Sequence, residues 1–235
     1  MLNWLNKRIT EISALAVVMI MAVLLGSVAW QGSNAVFNQK AKPYVVVIDP
    51  GHGGYDPGAV AAQAVYEKEI TLQVSRRLQA LLSGDGVKAV LTRDEDEDYV
   101  SDGVSGRKNK KRSDLDYRIN MAAGIQADIF VSLHVNAVAK GNNSGAETFY
   151  YNLSAEGKRL AEAIQNELIG IPGMNRRVAK PGDYYVVKNT KMPAVIVELG
   201  YLSNSAERNK LQREDYQEEL AVAIARGIAR YFDAR

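Results

Sequence analysis

Three kinds of apolar pattern divide this chain. Residues 12–30, ISALAVVMIMAVLLGSVAW, run nineteen positions without a charge, close to the roughly 20 that a helix needs to cross the hydrocarbon of a bilayer. Beyond them come short, continuous, β-branched runs: YVVVI at 44–48, VKAVLTR at 87–93, ADIFVSLHVNA at 127–137, AETFYY at 146–151, DYYVVKN at 183–189 and PAVIVELG at 193–200. Such runs predict strands, and the continuously apolar ones predict strands covered on both faces. Between them the apolar positions repeat with helical spacing. Ile70, Val74, Leu78 and Leu81 share one face of a helix that Gly84 stops, and Leu220, Ala223, Ile224 and Ile228 form the stripe of another. Two more helices are expected, over 154–168 and over 114–124, the latter starting near Ser113 or Asp114. This alternation predicts an α/β fold, a mostly parallel sheet sandwiched between helices and preceded by one N-terminal transmembrane or signal-anchor helix.

Charge orients the first segment. Lys7 and Arg8 precede the apolar run, and positive charge stays on the cytoplasmic side. Residues 1–11 are therefore read as cytoplasmic, 12–30 as the span, 31–42 as a polar tether and 43–235 as one extracytoplasmic domain. The expected location is a cell membrane crossed once. Ser27-Val28-Ala29 also has the small-x-small pattern of a signal-peptidase site, so secretion after cleavage is the alternative. One stretch of the domain breaks the apolar pattern: residues 94–114, DEDEDYVSDGVSGRKNKKRSD, pass from an acidic cluster to a basic one. With little to bury, it reads as a mobile surface loop. Its basic run, Arg107 to Arg112, is either plain solvated surface or a contact for an anionic wall polymer or membrane.

Composition narrows the chemistry. The chain has 29 basic and 27 acidic residues, a formal net charge of +2 and no cysteine. The balance gives no reason to expect nucleic acid, and without thiols there are no disulfides and no cysteine ligands or nucleophile. A metal site would have to use His, Asp and Glu.

The chain has only two histidines. His52 follows the first strand and His134 closes the third, so both fall at carboxyl ends of strands, the edge where open α/β sheets bind ligands. Glu198 ends the apolar run AVIVE, where a buried carboxylate requires compensation. Glu67 and Glu69 open the helix that returns to the same edge, and positions two apart point to different faces, so only one can enter the crevice. Two histidines and a carboxylate make a three-ligand set for a catalytic zinc, and Glu198 would suit a base beside it. Gly51, Gly53 and Gly54 relax the backbone around His52, and Gly58 follows a second Asp-Pro turn. Taken singly, either histidine is better read as a half-buried side chain or part of a turn. Their joint placement is what argues for a site.

Five motifs in register then point further. VVIDPGHGGYDPGAV, EKEITL, LTRDED, RINMAAGIQADIFVSLHVNA and AVIVELGYLSN resemble the zinc-dependent N-acetylmuramoyl-L-alanine amidases of the type 3 family, from about Tyr44 to the C-terminus. The chain looks most like the membrane-anchored sporulation and germination-specific amidases of spore-forming bacteria. The resemblance implies that His52, Glu67 and His134 hold Zn2+, choosing Glu67 over Glu69, and that Glu198 is the catalytic glutamate. It implies hydrolysis of the amide between N-acetylmuramic acid and the L-alanine of the peptidoglycan stem, in cortex maturation through muramic lactam or in wall remodelling. Glu198 would take the proton of the attacking water and return it to the leaving amine. Asn136 would hold substrate or the His134 loop, or be a turn residue. Arg93 and Arg118 are expected to fix loops rather than bind stem carboxylates. The family often has Asn before the third strand, where this chain has Ala123 and Gly124, and Gly124 can end that helix itself. Peptidoglycan, the membrane and a regulatory protein are the expected partners. Two other readings remain at this point, an inactive exported wall-binding module and a zinc peptidase cutting within the stem.

Overall fold

The most apolar runs form the centre of a six-stranded sheet. In the computed structural model, which describes residues 43–84, 86–138 and 143–234, β1 (Tyr44–Pro50) lies between β4 (Val87–Leu91) and β5 (Ile129–Asn136), and β8 (Ala194–Tyr201) pairs with β5. These four strands are parallel, and β6 (Glu147–Tyr150) and β7 (Lys180–Pro181) complete the far edge, β6 running antiparallel to β8. The expected α/β class and the mostly parallel sheet are both present. A short hairpin, β2 (Val60–Ala61) with β3 (Val65–Tyr66), rises from the loop after β1. The expected segments 1–11, 12–30 and 31–42 lie outside the described residues.

Side-chain alternation along the strands sends successive residues to opposite layers. Val46, Ile48, Val131, Leu133, Val195 and Val197 face the larger core. It is closed by α1 (Glu67–Leu82), α3 (Ala155–Leu168) and α6 (Glu214–Asp233). The predicted stripe of α6 is buried there, as are Ile70, Val74 and Leu78 of α1, while Leu81, expected on the same face, is exposed in the last turn. Val47, Phe130, Ala194 and Ile196 face a smaller cluster under α2 (Arg107–Gly124) and α4 (Tyr185–Asn189). A short α5 (Ser205–Leu211) joins β8 to α6, its first turn capped by the Asn204 side chain, which accepts from the amides of Ala206 and Glu207.

Three expectations are corrected. Residues 183–189 form no strand: 185–189 are α4, in which the amides of Lys188 and Thr190 donate to the carbonyls of Tyr184 and Val186. Val186 and Val187 are both buried, which a single helical turn against one face of the sheet permits and strand alternation does not. Helix α2 begins at Arg107 rather than near 113, so the basic run is helical. The acidic half of 94–114 is docked rather than unengaged. Asp96 accepts from the Gly54 amide at 2.9 Å and pairs with Lys68 at 2.7 Å, and Asp98 accepts from the Tyr55 amide at 3.1 Å. Its carboxylates satisfy backbone donors of the glycine loop, which substitutes for an apolar reason to fold.

Candidate metal centre

Each site residue reaches the carboxyl edge of the sheet for a local reason. His134 and Glu198 are direct neighbours in the register of β5 and β8, on the face covered by α2 and α4. Glu67 is the first residue of α1, which has no side-chain cap. Instead the amides of Glu67 and Lys68 donate to the carbonyls of Ala59 and Pro57, so the loop itself satisfies the helix end. Glu67 is buried and Glu69 exposed, so of the two it is Glu67 that faces into the crevice. His52 sits two residues beyond β1 with φ 64, a left-handed backbone that a non-glycine residue holds only when its surroundings over-determine it.

Two buried arginines supply that determination. Arg93 donates to the carbonyls of Pro50, Gly51, Lys68 and Glu95 at 2.8–3.1 Å. Arg118 donates to the carbonyls of Pro50 and His52, both at 2.8 Å, and pairs with Asp49 and Asp114 at 2.9 Å. Both therefore fix loops, as the sequence reading expects. Without these donors the carbonyls turned inward around His52 would be buried and unpaired.

The centre forms around one carboxylate oxygen. Glu67 Oε1 lies 3.1 Å from His52 Nε2, 3.0 Å from His134 Nδ1 and 2.9 Å from the Val135 amide, while its Oε2 accepts from the Ala59 amide at 2.8 Å. One ligand atom from each of His52, Glu67 and His134 can be chosen so that all lie within 4.8 Å of one another. Asp56, a residue the sequence reading passes over as a turn former, stands 2.8 Å from His52 Nδ1 and also accepts from the Gly58 amide. That contact favours the tautomer with Nδ1 protonated and leaves Nε2 free to act as a ligand.

The electrostatics favour a cation here. Burial disfavours an imidazolium at His52, but the hydrogen bonds and charges of Asp56 and Glu67 outweigh it and raise its pKa to about 9. Burial acts upward on Asp56 as well, yet the His52 contact holds it at about 2. Glu67 is likewise held far below the usual carboxylate range, burial being overcome by the hydrogen bonds and charges of His134 and His52. Two imidazoles and a carboxylate are gathered on one point, His52 backed by Asp56 and Glu67 by the Ala59 and Val135 amides, a donor set able to hold a metal ion.

Glu198 is built differently. It is buried, and its Oε2 has no hydrogen-bond partner among the described residues. Burial pushes its pKa up to about 7, with His134 and His52 opposing and Glu67 and Glu147 adding to the rise. Its register partner on β6 is Glu147, a carboxylate the sequence reading also passes over. Arg177, Lys180 and the Tyr201 hydroxyl engage Glu147 at 2.6–2.7 Å, which offsets the cost of two acids side by side. Glu198, His52 and His134 line a cleft of ≈ 230 Å³, walled by Leu115, Tyr184, Tyr185, Val186 and Ile196, with Lys111 also lining it. Asn136 is not among the lining residues. Its carbonyl accepts from the Leu202 amide at 2.9 Å, where the β5–β8 register shifts.

Gly51 and Gly58 mark close approaches. A Cβ on Gly51 would lie 2.4 Å from His134 Cε1, and one on Gly58, at φ +68, would lie 2.6 Å from Glu67 Oε2. Gly51→Ala is therefore expected to displace the His134 ring and lower metal affinity about 10–100-fold, the range for lost ligand orientation. Titration of the metal-free protein with zinc checks this; unchanged affinity would show that the ring tolerates the shift.

Comparison with known proteins places this geometry. The N-acetylmuramoyl-L-alanine amidase family profile matches residues 46–230. The germination-specific N-acetylmuramoyl-L-alanine amidase of Bacillus subtilis is 34% identical over 218 residues, 89% of this chain and 90% of that protein. The sporulation-specific N-acetylmuramoyl-L-alanine amidase of the same organism is 32% identical over 193 residues, covering 81% and 69%. The CwlD amidase of Clostridioides difficile, solved in complex with the GerS lipoprotein, superposes with a TM-score of 0.78 at 34% identity over 82% of this chain and 100% of that one. A sheet edge carrying a His-Glu-His cluster beside a buried glutamate thus joins these sequence matches, and the chain belongs to the N-acetylmuramoyl-L-alanine amidase family.

Proposed function

We propose that this N-acetylmuramoyl-L-alanine amidase is a zinc enzyme in which His52, Glu67 and His134 hold the metal and Glu198 is the general base. The observation that carries the reading is the convergence of three ligand atoms beside a buried carboxylate with an unpartnered oxygen. When bound, zinc supplies Lewis-acid polarisation of the scissile carbonyl and brings the acidity of water near neutrality. Glu198 Oε2 takes the proton of the attacking water and returns it to the leaving alanine nitrogen. Asp56 orients His52, and the apolar wall of Leu115, Val186 and Ile196 keeps bulk water from the reacting carboxylate. Asn136 holds the loop after β5 through its backbone rather than binding substrate.

The substrate is peptidoglycan, and the similarity to germination- and sporulation-specific amidases supports action on spore cortex, where the peptide-free muramic acid would become muramic-δ-lactam. The nineteen uncharged residues 12–30 support a membrane anchor with the catalytic domain outside. The complex of the Clostridioides difficile relative with a lipoprotein supports a protein partner for this chain too.

One experiment tests the chemistry. The purified full chain is expected to carry about one zinc per molecule, and to release intact stem peptides beginning with L-alanine from purified peptidoglycan. Chelation should abolish this and added zinc restore it. Peptides shortened from within the stem would establish a peptidase instead, and binding without release a wall-binding module.

A further inference from the structure

Among the described residues lining the cleft, Lys111 is the one lysine or arginine. It is exposed and makes no hydrogen bond or direct ion pair, unlike the other basic groups around the centre. Arg93 and Arg118 are committed to backbone carbonyls and buried acids. Arg177 and Lys180 are spent on Glu147. On Lys111's own helix, Arg112 pairs with Asp116 and lies 3.9 Å from the Tyr185 ring centroid, and Lys110 sits over Tyr55. Within the basic run, then, one ammonium faces the cleft unpaired.

The other ionisable groups lining the cleft are Glu198, the two histidines and the phenols of Tyr184 and Tyr185. Asp56, bonded to His52 and the Gly58 amide, feels the Lys111 charge without a direct contact, and Glu198 lines the cleft. An incoming carboxylate would meet repulsion from Glu198 wherever no cation stands. The cleft volume of ≈ 230 Å³ corresponds to a cube about 6 Å on a side. Two extended residues span about 7 Å, so a carboxylate two residues along the stem falls at the rim when the scissile amide lies between Glu198 and the metal ligands.

We infer that Lys111 is a specificity-determining residue that binds a free α-carboxylate on the second residue of the stem. The inference rests on the amidase reading above. A carboxylate of that position forms a charge-assisted hydrogen bond with the ammonium, whereas its amide offers no charge. Lys111 thus gives the basic start of α2 a defined role at one position and leaves the remainder as solvated surface.

The test uses the full chain loaded with zinc and pairs of soluble peptidoglycan fragments that differ only in whether this α-carboxylate is free or amidated. The wild-type protein is expected to favour the free carboxylate about 10-fold, through KM rather than kcat. Lys111→Met should erase that preference by raising KM for the free form, and Lys111→Arg should retain most of it. Equal handling of the two fragments by the wild-type protein would overturn the assignment. So would a Lys111→Met loss of the same size on both, the pattern of a general structural or electrostatic role. Cleavage of neither fragment by the wild-type protein would overturn the amidase reading on which the inference rests.

Discussion

Glu198→Gln is expected to lower kcat on peptidoglycan by about 10²–10⁴-fold, the range lost with a general acid–base group, while the protein folds and takes up zinc as before. The substitution keeps shape and volume and removes only the capacity to take a proton. Zinc content should hold because the proposed ligands are His52, Glu67 and His134, and the contacts around that set are Asp56, the Ala59 amide and the Val135 amide. None of these involves Glu198. Stability should hold or rise slightly, since a neutral amide in this buried position avoids desolvating a charge. The same burial that raises the acid's pKa to about 7 makes it a stronger base than an exposed carboxylate, and near neutrality it exchanges protons in both directions. Turnover near the wild-type rate with full zinc would remove Glu198 from the proton transfer. A loss accompanied by loss of zinc would mean instead that Glu198 supports the metal.

How much of this was legible in the sequence depends on the range of the interaction. His52, His134 and Glu198 were legible because an apolar strand delivers its last residues to one edge, and strand ends are marked by composition. Glu67 needed the resemblance to be chosen over Glu69, and the structure supplies the physical reason in burial. Asp56 was hidden in an Asp-Pro turn, where aspartate is expected for local reasons; only the fold of the loop brings it to His52 Nδ1. Glu147 was hidden because its partners, Arg177 and Lys180, come from a segment with no strand signal beyond two residues of β7. Helix α4 was misread because two adjacent valines have strand preference, which tertiary packing overrode. The acidic residues 94–98 were misread because an apolar count does not see carboxylates that cap another loop's amides.

Arg118→Met is expected to destabilise the domain by about 3–5 kcal/mol, the range for removing one member of a buried ion pair. At roughly 2–4 °C per kcal/mol for a domain of this size, the thermal midpoint should fall by about 6–20 °C. The side chain is 1% exposed, so methionine fills much of its volume and the cost is chiefly the polar atoms left behind. These are Asp49 Oδ1, Asp114 Oδ2 and the carbonyls of Pro50 and His52. Asp49 retains the hydroxyls of Thr92 and Ser132, each at 2.6 Å, but loses its countercharge. The pH dependence identifies the cause. In the wild-type protein burial raises the Asp49 pKa, and Arg118 with the two hydroxyls more than reverses this, leaving it below the ordinary 3.8. A depressed carboxylate contributes stability that is full above about 3.8 and is lost as pH falls through the folded value. Without Arg118 burial has no opposing charge, the folded pKa moves upward, and the deprotonated group becomes a cost that protonation relieves. The gap between wild type and Arg118→Met should therefore be widest near neutrality and narrow as the solution is acidified toward pH 4. A gap independent of pH would assign the loss to the carbonyls and to packing. Either way the loop carrying His52 loses one of its two clamps, so zinc affinity should fall together with stability.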